Sequence, residues 1–122
     1  MAEVSSTIDT QIRYPGIKVR TESGKPAKLD QADTPTFVST ESGTGVGLVE
    51  NLGEYTEGNR TGTILDVVLK NAEVGVSNMT LRGDADNDAG ETKEISLPFT
   101  LTTTDAEAGS FELPAPVTEP IA

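Results

Sequence analysis

The 122-residue chain contains no cysteine, no histidine and no tryptophan. Without cysteine there are no disulfide frameworks, thiolate zinc sites or thiol nucleophiles, and without histidine the commonest general base near neutral pH is gone. A serine triad would lack its base, so acid–base chemistry would fall to Asp, Glu, Lys or Tyr in a deep pocket. Nothing in so short and loop-rich a sequence points to one, and the expectation is a protein that is not an enzyme and needs no cofactor. Aromatics are scarce too: Tyr14, Phe37, Tyr55, Phe99 and Phe111 are all of them. The core must then be built from Val, Ile and Leu, which suits strands better than helices. No run approaches the ~20 apolar residues of a membrane span, and Met1 to Thr10 has no apolar run with a basic flank. Synthesis in a cytoplasm without a signal peptide is expected.

Twenty acids oppose nine bases, a formal net charge of −11. That charge favours solubility and repels nucleic acid and anionic membranes, so neither is expected as a partner. The excess is uneven, because the first thirty residues hold five bases (Arg13, Lys18, Arg20, Lys25, Lys28) against four acids. This near-neutral stretch is a candidate docking surface for something acidic. Its alternative is a set of solvent-facing bases on early strands.

What is present is alternation. Ile95, Leu97, Phe99 and Leu101 point one way and Ser96, Pro98, Thr100 and Thr102 the other, the period of a half-buried strand. Pro98 cannot donate to a ladder, so that strand is expected at an edge or bulged there. Residues 1–6 read as a mobile arm or a segment ordered only by a partner. Ile8, Thr10, Ile12 and Tyr14 read as a strand stopped by Pro15-Gly16, and Ile17 and Val19 as the start of another. Residues 36–39 are a short strand, residues 53–62 an exposed hairpin loop around Tyr55, and Phe111 and Leu113 the last strong apolar positions. Between them, Leu65, Val67 and Leu69 face one side and Ile64 and Val68 the other. Apolar residues on both faces indicate a central strand or a protein contact on the outer face. About seven short strands with turns near every ten residues predict an all-β fold, a single β-sandwich with Greek-key connections. A small barrel or jelly roll is the rival. The expected organisation is an arm and first strand at 1–16, the sandwich at 17–113 and a proline-rich tail at 114–122.

Three motifs carry possible chemistry. Asp84, Asp86 and Asp88 place oxygen ligands at alternate positions, as a calcium loop does, but Gly90 and Ile95 depart from the EF-hand spacing, and an acidic hairpin turn explains them as well. Arg82-Gly83-Asp84 spells an adhesion tripeptide too short to be specific. Gly43, Gly45 and Gly47 lack the lysine and the following helix of a phosphate loop.

Gly24-Lys25-Pro26-Ala27 with Asp30, then Pro35-Thr36-Phe37-Val38-Ser39, Leu81-Arg82-Gly83-Asp84-Ala85-Asp86 and the strand closing at Thr104-Asp105-Ala106-Glu107-Ala108 together resemble bacterial immunoglobulin-like (Big2-like) domains. The likeness is to the small stand-alone versions encoded by bacteriophages and covers residues 17–113. Phe37 stands where a tryptophan is commoner in that family. The resemblance implies no catalytic residues and a virion structural role, most specifically a capsid decoration or cement subunit bound to the major capsid protein on the capsid surface. The candidate contacts are Ile8, Ile12, Arg13, Lys18 and Arg20, with self-association, as a trimer, a further expectation. The alternative is a carbohydrate-binding or adhesion module using Tyr55.

Overall fold

The computed structural model describes residues 2–30, 36–86 and 92–121. Seven strands form in chain order: β1 (Ala2–Thr7), β2 (Gln11–Lys18), β3 (Phe37–Ser42), β4 (Val46–Glu57), β5 (Arg60–Lys70), β6 (Gly75–Asp86) and β7 (Thr92–Thr104). They make a four-stranded sheet ordered β1-β7-β6-β3 and a three-stranded sheet ordered β2-β5-β4. This is the β-sandwich expected from the strand pattern, in the immunoglobulin-like arrangement that the resemblance implies. The second, fifth and fourth strands share one sheet and the third, sixth and seventh the other, as in a constant-type domain, but the first strand lies beside the seventh.

The core lies between the sheets. Leu65, Val67 and Leu69 of β5 meet Met79 and Leu81 of β6 and Phe99 and Leu101 of β7, all buried. Tyr14 reaches across from β2 and stacks at a tilt on Phe99, with ring centroids 5.3 Å apart. Gly47 lets β4 close onto β3, since a Cβ there would run into Val38.

Several expectations change. Ala2–Thr7 is no loose arm: it pairs in parallel with Phe99–Thr104, from Ala2 opposite Phe99 to Thr7 opposite Thr104. Pro15-Gly16 does not stop a strand. The pair forms a bulge between Tyr14 and Ile17, with Gly16 at φ 69°, so β2 runs through the expected boundary at residue 16. Proline is tolerated because β2 is the edge of its sheet. Residues 53–62 are mostly ladder, with only Gly58 and Asn59 turning between β4 and β5. The sandwich ends at Thr104 and not near residue 113, so Phe111 and Leu113 stand in solvent.

Candidate functional site

The outer face of the β2-β5-β4 sheet gathers most of the charged chemistry. Its centre is Asp66 of β5, flanked by the bulge at Pro15-Gly16 on β2 and a second one between Glu50 and Gly53 on β4. Both bulges aim donors at its carboxylate. Gly16 donates its backbone N–H over 3.1 Å, Asn51 its Nδ2 over 2.8 Å and Arg13 its Nη1 over 2.9 Å. Asn51 reaches it from φ 52°, a left-handed conformation that asparagine tolerates better than most residues. Arg13 spends its other arm on Glu50 at 2.6 Å. The Asn51 and Gly16 hydrogen bonds, with Arg13 behind them, hold the Asp66 carboxyl below its ordinary value, and Glu50 and Asp66 push Arg13 above its own.

A second cluster lies along the same sheet. Arg20 grips both oxygens of Glu57 at 2.9 Å, Lys18 stands 3.6 Å from the same carboxylate, and the pairing with Arg20 lowers the Glu57 pKa. Both cations sit over the Tyr55 ring, whose hydroxyl donates to the Val19 carbonyl over 2.6 Å. Tyr55 is therefore a clamp between β4 and the end of β2, not the free aromatic platform a sugar-binding loop would need.

The basic candidates are thus placed together but spent inside the molecule, since Arg13, Lys18 and Arg20 each face an acid of the same chain. Ile12 packs against the core and Ile8 is exposed in the turn between β1 and β2. Sequence reasoning missed Asp66, Glu50 and Glu57. The turn-prone Pro15-Gly16 and Asn51-Leu52-Gly53 inside apolar runs were the available signal, because such residues inside a strand pattern mark bulges.

Beside this cluster the face is apolar. Val46 and Leu48 of β4 are 45% and 39% exposed, and Val68, flanked by Leu48 and Arg13 on its two neighbouring strands, is buried at 1% on the outer side of the sheet. Leu52, within the β4 bulge, is exposed as well.

The other motifs resolve into structure. Asp84 and Asp86 belong to β6, paired with Glu94 and Thr92 of β7, and Asp88 and Gly90 lie outside the described residues. Among the described residues no group of three or more acidic side chains is placed to hold a metal ion. Arg82-Gly83-Asp84 is strand rather than loop, and Arg82 is paired with Glu41 and Glu94. The glycines at 43 and 45 make room for Ser77, whose hydroxyl accepts the Gly45 N–H at 2.8 Å. No helix among the described residues is long and apolar enough to cross a membrane. Comparison with models of known families, with curated proteins and with solved structures finds no match.

Proposed function

We propose that this chain is a non-enzymatic structural subunit of a bacteriophage virion, a decoration or cement protein seated on the outer lattice formed by the major capsid protein. The observation that carries the reading is the outer face of the β2-β5-β4 sheet. Val46 and Leu48 form an exposed apolar centre beside charges already paired with one another. An apolar centre with a polar rim is the anatomy of a protein interface, and internally paired rim charges lower the desolvation cost of covering it. The resemblance to phage-encoded immunoglobulin-like domains supports the same assignment. The segment read as a mobile arm ordered by a partner does not supply the contact, because β1 is committed to β7.

Purified particles of the encoding phage test the proposal. The chain should be present at a fixed copy number relative to the major capsid protein by quantitative mass spectrometry, and Leu48→Asp should lower that number at least tenfold while the isolated protein keeps its circular dichroism spectrum. Intact particles that lack the chain would overturn the assignment, and full occupancy by Leu48→Asp would overturn the docking face.

A further inference from the structure

Among the described residues, β7 has an outer neighbour along only half of its length. β1 covers only the Phe99–Thr104 half of β7, and among the described residues no strand lies against the outer edge of Thr92–Pro98, which is paired on its other side with β6. The consequence is visible in side chains that share one face. Phe99 and Leu101, behind β1, are 2% and 0% exposed, while Ile95 and Leu97, beyond its end, are each 36% exposed. Behind them an apolar cleft of ≈ 140 Å³ opens between the sheets, lined by Ile17, Val19, Leu65 and Leu81 together with Ile95 and Leu97. An unpaired edge beside an apolar groove is a template for an added strand.

The same chain carries a segment that fits. Residues 105–121 leave β7 without regular structure, and Phe111, Leu113, Val117 and Ile121 are all more than four-fifths exposed. From Phe111 to Val117 the odd positions are Phe, Leu, Ala and Val and the even ones Glu, Pro and Pro. In an extended strand one parity sets both the face of a side chain and the edge to which its N–H points. Running parallel to β7, as β1 does with the Ile8 N–H donated to the Thr104 carbonyl, the odd residues would drop apolar side chains into the groove and turn their N–H groups to β7. Pro114 and Pro116, which have no N–H to offer, would fall on the far edge and close it to further strands. Directly opposed residues share a face, as Val4 and Leu101 do, so the odd positions of the tail fall opposite the odd positions of β7 such as Ile95 and Leu97.

A segment's own groove is out of reach. It leaves from Thr104, and to run parallel to β7 it would first have to turn around β1 and travel back to the Thr92 end of the strand, roughly 40 Å at ~3.3 Å per residue. The seven steps from Thr104 to Phe111 span at most about 25 Å fully extended, before any are used in the reversal. We infer that residues 111–117 of one copy add as a strand to the Thr92–Pro98 edge of a second copy, burying Phe111, Leu113 and Val117 against Ile95 and Leu97.

The absence of cysteine makes the test clean, since any disulfide must join introduced residues. Chains carrying Ile95→Cys are mixed with chains carrying Leu113→Cys, Ala115→Cys or Glu112→Cys and oxidised mildly, each variant first shown by circular dichroism to be folded. The expected result is a linked dimer with Leu113→Cys or Ala115→Cys and at least tenfold less with Glu112→Cys. The unsubstituted protein should sediment at no less than twice its 12.8 kDa chain mass, and Leu113→Asp should return it to the monomer. Equal linking at odd and even positions, linking only within a single chain that carries both cysteines, or an unsubstituted protein that stays monomeric at high micromolar concentration would each overturn the inference.

Discussion

Phe99 is the side chain on which the two sheets depend most. It is 2% exposed, is the largest of the fully buried residues and stacks on Tyr14 from the opposite sheet. With so few aromatics in the core, little around it can shift to fill the space it would leave. Phe99→Ala should cost about 3–5 kcal/mol of stability, measured by urea unfolding followed by circular dichroism. Its inward direction follows from the alternation of Ile95, Leu97, Phe99 and Leu101, so this part of the core was legible in the sequence. Asp66 was not. Its three donors come from Arg13, Gly16 and Asn51, distant in the chain, and an acid between Leu65 and Val67 reads as an ordinary outward position until two bulges converge on it.

At the scale of elements, local chemistry was readable and long-range pairing was not. The β4–β5 hairpin shows both. Gly53, Gly58 and Gly62 together suggested a broad loop, whereas Gly53 sits at a bulge, Gly62 pairs with Tyr55, and only Gly58 and Asn59 make the turn. Gly58 stands at φ 61° ahead of an Asn with ordinary φ, the two-residue turn that places glycine first and matches the twist of the flanking strands. A Cβ at Gly58 would meet nothing within 4 Å, so a substitution there tests backbone conformation alone. Gly58→Ala should destabilise the protein by ~1–2 kcal/mol, and urea midpoints of the two proteins measure it. β1 was hidden for the opposite reason. Residues 2–7 are small and polar, and what orders them is a parallel register with the far end of the chain, which no local pattern announces. Pro98 did announce its place. It stands one position before the Ala2–Phe99 pair that opens the described β1 ladder, where among the described residues β7 has no outer neighbour and a missing N–H costs no ladder bond.

For the whole molecule the governing quantity is a formal charge of −11, which sets mutual repulsion among carboxylates against the few that are held by donors. Mild acid relieves the repulsion. Stronger acid protonates Glu57 and Asp66, whose pKa values are held below the ordinary carboxylate range by Arg20 and by Asn51, Gly16 and Arg13. A carboxylate with a depressed folded-state pKa contributes stability that is complete above its unfolded pKa, about 3.9 for Asp and 4.3 for Glu, and is lost as the pH falls through the folded value. Stability should therefore hold or rise slightly as the pH is lowered toward about 5 and decline below about 4. Asp66→Asn with Glu57→Gln removes both groups from the titration. The double variant should be less stable at neutral pH and lose less than the parent between neutral and acid pH, so that the two curves of urea midpoint against pH converge. Parallel curves would mean that other carboxylates carry the acid transition and that the two clusters on the β2-β5-β4 face contribute only geometry.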